Sequence, residues 1–290
     1  MGFDAFVKLM RAPDCAMSFF AVLLGYWITT QGFAFPFPEF LFAVSLAFAA
    51  FFVCAGGQAI NDYYDAEIDA KEKPDRPIPK GEVTKAQAKN FAIALFALGA
   101  VFSLSLFAHS TTSGAVALVL AVLSSFLLAG YSKYLKEKKY VGNAVVSLSI
   151  ALAFVFGGVV RLEELGAAAL GGPLFLSVAP FFANMAREVT KDIEDLKKDQ
   201  GAKVTFPMKF GLDAAKKMVV VYTFASILFG IFYGQIFFNV LYVPFLLIGS
   251  FFFMSAALLN FNNFYTEAAR YQKVAMVIIL FGYLLGLLPI

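Results

Sequence analysis

The sequence predicts an all-α membrane protein in which nine helices cross the bilayer. Of its 290 residues, 60% are hydrophobic and only 15% are charged, whereas soluble domains average about half and a quarter. Stretches of about 20 mostly apolar residues, the length that a membrane-spanning helix needs, recur along the whole chain. All but one of the 23 Lys and Arg residues fall in alternate connections between these stretches. A wrong number of spans would destroy this alternation, so the number nine follows from it.

The spans can be placed because turn residues or charges separate them. We place them roughly at residues 14–33, 39–62, 88–109, 112–131, 142–161, 168–188, 216–234, 237–259 and 272–289. Basic residues mark the cytoplasmic side of a membrane protein, so the N-terminus is predicted to be cytoplasmic and Arg161 to lie outside. We expect residues 1–290 to form a single multi-pass domain in the cell membrane.

A first acidic cluster ends the second span. Asn61, Asp65 and Asp69 are spaced four apart, so in a helix they share one face. Carboxylates are costly in or near a bilayer, and those found there usually serve a function. Decoration of a helix end by solvated charges is the alternative, but it does not predict same-face spacing.

A second acidic cluster ends the sixth span on the same side of the membrane. Asp192, Asp195 and Asp199 are spaced three and four apart and form another stripe. Two stripes of hard oxygen ligands suit Mg²⁺, which binds through a few carboxylates and substrate phosphates. The sequence therefore predicts a cytoplasm-facing site for a metal-bound diphosphate. Because spans 2 and 6 end alike, helices 1–4 and 5–8 are also predicted to form a degenerate repeat.

Basic and aromatic residues near these stripes are candidates to bind the diphosphate. They are Arg76, Tyr131, Lys133, Lys136, Arg187 and Lys191. Guanidinium groups bind phosphate bidentately, and ammonium groups act as point charges. The alternative is that they signal topology and attract lipid head groups. Diphosphate binding is favoured for Arg76, which has prolines on both sides, and for Arg187. For each lysine the choice between the two interpretations is left open.

The remaining reactive residue types indicate no other chemistry. His109 is the sole histidine and falls at the outer end of the third span, so a histidine-ligated metal is unsupported. Cys15 and Cys54 lie in or beside apolar stretches and are interpreted as packing residues. We expect membrane lipids but no nucleic acid among the partners, and the sequence leaves the oligomeric state open.

These motifs resemble those of the UbiA-type intramembrane prenyltransferases. The resemblance rests on Asn61-xxx-Asp65-xxx-Asp69, on Asp75-Arg76-Pro77-Ile78-Pro79 with Gly81, and on Arg187-Glu188-xxx-Asp192-xx-Asp195-xxx-Asp199. It implies nine helices around a central cavity, with two Mg²⁺ ions bridged by a prenyl diphosphate. It also implies metal ligands at Asn61, Asp65, Asp69, Asp192, Asp195 and Asp199, and catalytic roles for Asp65, Asp69, Asp195, Asp199 and Arg76.

One departure from the family pattern concerns the end of the fourth span. The family often has a tyrosine followed four residues later by a lysine. Here Leu135 stands four residues after Tyr131, while Tyr134 is followed by Lys138. Which tyrosine and which lysine serve the site is left open.

Within the family, the chain looks most like the branch that makes archaeal ether lipids. The similar segments are 8–14, 61–65, 139–143 and 187–195. The resemblance implies Mg²⁺-dependent transfer of a geranylgeranyl group from geranylgeranyl diphosphate to the free hydroxyl of geranylgeranylglyceryl phosphate, with release of diphosphate. The alternative within the family is an aromatic polyprenyltransferase of quinone biosynthesis, acting on 4-hydroxybenzoate or naphthoate.

Two further function classes compete with a prenyltransferase. A membrane transporter is favoured by internal repeats, but the apolar cores of these spans carry almost no charge. A Mg²⁺-dependent lipid phosphotransferase also pairs acidic clusters with a membrane. Release of diphosphate together with alkyl transfer would distinguish the prenyltransferase from both.

Overall fold

The described structure is built from helices. A computed structural model describes residues 3–31, 36–135, 139–196 and 204–288. Its α-helices are α1 (Phe3–Met10), α2 (Ala12–Thr29), α3 (Glu39–Glu72), α4 (Lys85–Leu104), α5 (Thr111–Gly130), α6 (Lys139–Gly158), α7 (Leu162–Leu165), α8 (Ala168–Glu194), α9 (Phe206–Phe210), α10 (Leu212–Phe237), α11 (Tyr242–Phe261) and α12 (Tyr265–Gly286). Shorter 3₁₀ turns cover Ser105–Ala108 and Val159–Arg161, and a π-helical turn covers Tyr131–Leu135.

Nine helices of the described part are long and apolar enough to cross a membrane, which confirms the predicted number. They are α2, α3, α4, α5, α6, α8, α10, α11 and α12. Large apolar side chains cover their outer faces, including Phe126, Leu247 and Phe251, each more than half exposed. Such a surface suits contact with lipid rather than water.

Several helices extend beyond the predicted spans. The second was expected to end near residue 62, but α3 continues to Glu72, and α8 continues to Glu194. No Pro or Gly lies between residues 58 and 72, so nothing in the acidic segment interrupts the helix before Pro74. The acidic cluster on α3 is therefore carried by continuous helix, which keeps its side chains on fixed faces.

The last helix begins earlier than predicted. We placed its start near residue 272, but α12 begins at Tyr265 and includes the charged Glu267 and Arg270. Asn263 precedes it with a left-handed backbone conformation (φ 68°) and makes the turn from α11. Glu and Arg are good helix formers, so hydropathy marks the border of the membrane rather than the end of the helix.

Helices α2 and α6 approach each other at glycines. A Cβ atom on Gly25 would lie 1.9 Å from the carbonyl oxygen of Phe154, and one on Gly157 would lie 1.9 Å from that of Val22. Small residues allow this close approach, and it stabilises helix pairs in membranes. Both helices line the central cavity described below, so their contact forms part of its wall.

We expect Gly157→Val to destabilise the fold because a backbone carbonyl occupies the space of the new side chain. The cost should be about 1–3 kcal/mol or more, seen as a lower apparent melting temperature in detergent and a lower yield of monodisperse protein. Gly171→Val is the matched control, because Gly171 is exposed on α8 and nothing lies within 4 Å of its Cβ position. Equal stability of the two variants would contradict the close packing.

Candidate active site

The first acidic cluster lies on α3 and is almost completely buried. Asp62, Asp65 and Asp69 are 4%, 8% and 3% exposed. The side-chain amide of Asn61 donates a hydrogen bond to Asp65 Oδ2 at 3.0 Å. Carboxylates taken out of water need compensating charges, and these come from outside the helix.

Arg76 supplies one of these charges from the loop between α3 and α4. Its Nη1 contacts Asp69 and lies 3.1 Å from Asp62 Oδ1. The predicted metal ligand Asp69 and the predicted diphosphate ligand Arg76 are thus in direct contact. In the described structure, Arg76 neutralises carboxylates that would otherwise repel one another.

The loop that carries Arg76 is held rigidly. The backbone amides of Glu82 and Val83 both donate to the carbonyl of Pro77, at 2.9 and 3.2 Å. Gly81 has φ 77°, a conformation that side chains other than glycine rarely adopt. Val83 is 2% exposed and anchors the loop in an apolar cluster under α3 and α4. At the loop surface, a hydrogen bond to Glu82 raises the pKa of Lys80.

Asp62 is a site residue that the sequence reasoning missed. Its Oδ1 accepts from Arg11 Nη2 at 2.5 Å as well as from Arg76. The sequence spacing could have indicated it, because Asp62 stands seven residues before Asp69 and therefore lies near the same face of the helix. Asp62 joins the segment before α2 to the loop after α3.

The second acidic cluster is divided between buried and exposed positions. Asp192 is completely buried, and its Oδ2 accepts from the side-chain amide of Asn143 at 2.8 Å. Asp195 caps the C-terminal end of α8 and is partly exposed. The predicted ligand Asp199 lies outside the described residues. Asn143 on α6 was not predicted as a site residue, since its contact crosses 49 positions of sequence.

The predicted basic residues of α8 are held by a neighbouring carboxylate. Glu188 is 9% exposed, and its Oε1 lies 2.6 Å from Lys191 Nζ and 3.4 Å from Arg187 Nη1. Both cations line the central cavity. They are therefore positioned to meet an anion that enters it.

The structure separates the candidates that follow α5. Tyr131 lines the cavity, and its ring fills the space where a Cβ atom of Gly142 would lie. Lys133 is exposed instead, with its Nζ 4.6 Å from the ring centroid of Tyr134. The structure thus places Tyr131 on the cavity wall and Lys133 off it. Lys136 and Lys138 lie outside the described residues.

A central cavity of about 400 Å³ joins a polar end to an apolar end. The polar end is lined by Arg11, Asp14, Asn61, Tyr131, Arg187, Glu188, Lys191 and Lys273, and the apolar end by Leu246, Phe253, Ile279, Leu280 and Tyr283. Asp65, Asp69, Asp192, Asp195 and Arg76 stand beside the polar end rather than on the wall. The cavity can therefore hold an amphipathic molecule with an anionic head and a hydrocarbon tail.

The residues at the polar end fit a hard divalent cation. Asp65, Asp69 and Asp192 are buried carboxylates. Asn61, whose side-chain nitrogen donates to Asp65, carries an amide oxygen as a further donor atom for a metal. Oxygen donors of this kind are the preferred ligands of Mg²⁺. Arg76 balances part of this negative charge by pairing with Asp69 and Asp62, so a metal ion that arrives with an anionic substrate would still meet carboxylate oxygens as ligands.

Comparison with known proteins identifies the family. The model of the UbiA prenyltransferase family matches residues 18–283. The chain belongs to the UbiA prenyltransferase family. It is therefore a multi-pass membrane prenyltransferase, as the sequence motifs predicted, and the transporter and phosphotransferase alternatives are set aside.

Two relatives of this UbiA family member carry the same name, digeranylgeranylglyceryl phosphate synthase. The protein of Methanopyrus kandleri is 35% identical over 76% of this chain and 75% of its own. That of Methanococcoides burtonii is 34% identical over 97% of this chain and 99% of its own. The likeness thus covers about three quarters of both chains in the first comparison and nearly the full length of both in the second.

Solved structures share the UbiA fold seen here. A structure described as giving insights into digeranylgeranylglyceryl phosphate synthase in membranes has a TM-score of 0.71 and 26% identity, covering 98% of this chain and 97% of its own. A UbiA homolog from Archaeoglobus fulgidus bound to GPP and Mg²⁺ has a TM-score of 0.61 and 17% identity, covering 95% and 99%. These similarities confirm the predicted fold.

We expect Asp62→Asn to destabilise this prenyltransferase because Arg11 and Arg76 lose a buried counter-charge. The loss should be about 2–4 kcal/mol, measured as a lower apparent melting temperature in detergent. Glu67→Gln is the control, since Glu67 also pairs with a cation, Lys85, but its side chain is 89% exposed. Such surface pairs contribute little. Unchanged stability of Asp62→Asn would show that Asp62 does not hold the two arginines together.

Proposed function

We propose that this protein transfers a geranylgeranyl group from geranylgeranyl diphosphate to the free hydroxyl of geranylgeranylglyceryl phosphate. An ether bond forms, and inorganic diphosphate is released. The observation that supports the reaction type is the cavity, which has Asn61, Arg187 and Lys191 at its polar end and Leu246, Phe253 and Tyr283 at its apolar end. The identity of the acceptor rests on the likeness to relatives that are named for this product, one of them matched over nearly its full length.

The charged residues would bind the diphosphate of the donor. Asn61, Asp65 and Asp69 on α3 would hold one Mg²⁺. Asp192 on α8, together with Asp195 and Asp199, which follow it in the sequence, would hold a second. When bound, Mg²⁺ supplies positive charge that stabilises the negative charge developing on the leaving group. Arg76, Arg187 and Lys191 would contact the diphosphate oxygens directly, as cations at phosphoryl and diphosphate groups do.

The bond that breaks is the allylic C–O bond of the donor. Its electron pair leaves with the diphosphate, and an allylic cation forms that a lone pair of the acceptor hydroxyl captures. The new ether then gives up its proton to the released diphosphate. The cation is a strong electrophile, so the hydroxyl needs no strongly basic residue beside it. Tyr131 stands at the cavity wall, where its ring face can stabilise a cation.

The apolar end of the cavity would bind the isoprenoid and exclude water. Leu246, Phe253 and Tyr283 are 6%, 1% and 3% exposed and line this end. Water that reached the allylic cation would capture it and waste the donor, so a dry pocket protects the transfer.

The site is proposed to face the cytoplasm. Arg161, the one basic residue that the positive-inside pattern places outside, pairs with Glu39 at the start of α3. The helical stretch from Glu39 to Asp62 is roughly 35 Å long at about 1.5 Å per residue. Arg161 and the acidic site therefore lie at opposite ends of the bundle. This arrangement supports the predicted orientation in the cell membrane.

A transfer assay tests the proposal. Purified protein with Mg²⁺ and labelled geranylgeranyl diphosphate would be offered geranylgeranylglyceryl phosphate and 4-hydroxybenzoate in parallel reactions. We expect label in the glyceryl phosphate, release of diphosphate, and loss of both when the metal is chelated. Label in the aromatic acid alone would overturn the acceptor assignment and make the protein an enzyme of quinone synthesis.

The two acidic motifs can be tested by substitution. We expect Asp65→Ala and Asp195→Ala each to lower kcat/KM by about 100-fold or more, because each removes charge that the leaving diphosphate and its metal need. Both variants should keep the melting behaviour of a folded protein. Glu67→Gln on α3 and Glu267→Ala on α12 serve as controls and should retain activity. Near-normal turnover by either aspartate variant would refute the two-motif site.

A further inference from the structure

We propose that Arg11 and Lys273 form a second anion subsite, which binds the phosphate of the acceptor after displacing Asp14. The inference rests on the proposed function and deepens it. It assigns a role to three cavity-lining residues that the donor site does not use. These residues come from the start of α2 and from α12, the first and the last of the membrane-spanning helices.

Two of the three side chains are in direct contact, and all three line the cavity. Lys273 Nζ is 2.6 Å from Asp14 Oδ1. Asp14 lies in the first turn of α2, where its backbone amide donates to the carbonyl of Arg11 at 2.9 Å. Arg11, Asp14 and Lys273 all line the cavity. Two cations and one carboxylate thus line the polar end of the cavity.

The reaction needs a second set of cations because it joins two anionic molecules. The donor carries a diphosphate, for which Arg76, Arg187 and Lys191 stand beside the acidic motifs of α3 and α8. The acceptor brings its own phosphate. Binding both anions at one set of cations would place like charges together, whereas Arg11 and Lys273 offer a separate position.

The pair between Lys273 and Asp14 is suited to displacement. The two side chains are 43% and 35% exposed, and ion pairs at such exposure are weak. A phosphate dianion brings more charge and more acceptor oxygens than a carboxylate, so Lys273 can exchange its partner. The released Asp14 stays at the N-terminal end of a helix, where negative charge is favourable.

Arg11 is suited to take part in the same contact. One of its amino groups, Nη2, contacts Asp62 Oδ1, and a guanidinium has five N–H donors in a planar fork. Phosphate oxygens match this fork bidentately. Arg11 can therefore bind a phosphate at the cavity while Asp62 continues to hold it.

The position of this subsite also fits the geometry of the acceptor. Asp62 Oδ1 accepts from both Arg11 and Arg76, so the proposed acceptor subsite adjoins the donor site. The free hydroxyl and the phosphate of geranylgeranylglyceryl phosphate share one three-carbon glycerol. A phosphate held by Arg11 and Lys273 would keep the hydroxyl near the donor diphosphate, where the new bond forms.

Binding without turnover tests the subsite. The affinity of the detergent-solubilised protein would be measured by calorimetry with EDTA and no donor, using geranylgeranylglyceryl phosphate and the same alcohol without phosphate. We expect the wild type to prefer the phosphorylated lipid. Lys273→Gln and Arg11→Gln should each weaken its binding by about tenfold, the loss expected for one charged hydrogen bond, with binding of the alcohol unchanged.

Asp14→Asn gives a result of opposite sign. It removes the carboxylate that competes for Lys273, so it should tighten binding of the phosphorylated lipid, whereas a merely structural pair would lose affinity or stability. Lys273→Arg should restore binding that Lys273→Gln loses. Arg270→Gln is the matched control, since Arg270 is exposed on the same helix and does not line the cavity.

Steady-state kinetics separates the subsite from the donor site. Lys273→Gln should raise KM for the glyceryl phosphate and leave KM for geranylgeranyl diphosphate within twofold. Equal binding of the phosphorylated lipid by wild type, Lys273→Gln and Arg11→Gln would overturn the subsite even if the wild type makes the ether. Absence of transfer to the glyceryl phosphate by the wild type would instead refute the proposed function. If Lys273→Gln failed to fold, Lys273→Arg and Asp14→Asn would still decide the question.

Discussion

The arrangement of the site depends on the compensation of carboxylates that the bundle takes out of water. Asp62, Asp65, Asp69 and Asp192 are each less than 9% exposed, and an uncompensated charge at such burial costs several kcal/mol. Arg76 reaches the α3 carboxylates from a loop. The prolines of this loop and its anchor, the buried Val83, hold Arg76 in place for that contact. A metal ion and a diphosphate can enter together without a large change in net charge, because the added positive and negative charges largely cancel. The site without substrate thus already has carboxylates for the metal ion and cations for the diphosphate.

The sequence was sufficient for the number of spans and insufficient for their ends. A membrane span can be recognised in the sequence because crossing the bilayer takes about 20 apolar residues. The distribution of Lys and Arg checks the number of spans independently. The segment from Tyr63 to Glu72 is polar yet helical, as is the start of α12, because no Pro or Gly stops either helix. Hydropathy reports where a chain leaves lipid, whereas the end of a helix depends on local backbone chemistry. The like endings of α3 and α8 remain the basis for the proposed internal repeat.

The site shows the same division between local and distant information. Spacing placed Asn61, Asp65 and Asp69 on one face, and that reasoning needed only helix geometry. It could not find the partner of Asp62, since Arg11 is 51 positions away, nor the contact of Asn143 with Asp192. Spacing also left Tyr131 and Lys133 undecided after α5. The structure has a π-helical turn over Tyr131–Leu135, in which side-chain directions depart from the α-helical period, so no four-residue rule applies there.

Charge clusters alone do not locate the chemistry, and the opposite end of the bundle shows why. There Glu39, His109 and Glu164 place ligand atoms within 4.8 Å of one another. By its residue types and spacing, this group resembles a metal site more than the acidic cluster of α3 does. Arg161 already pairs with both glutamates, and none of these residues lines the cavity. The acidic motifs of α3 and α8 differ because they adjoin a space that can hold a hydrocarbon chain. An anionic head and an apolar tail can be bound together only where buried charge meets that space, and in the described structure this happens at the end that carries Asn61, Arg187 and Lys191.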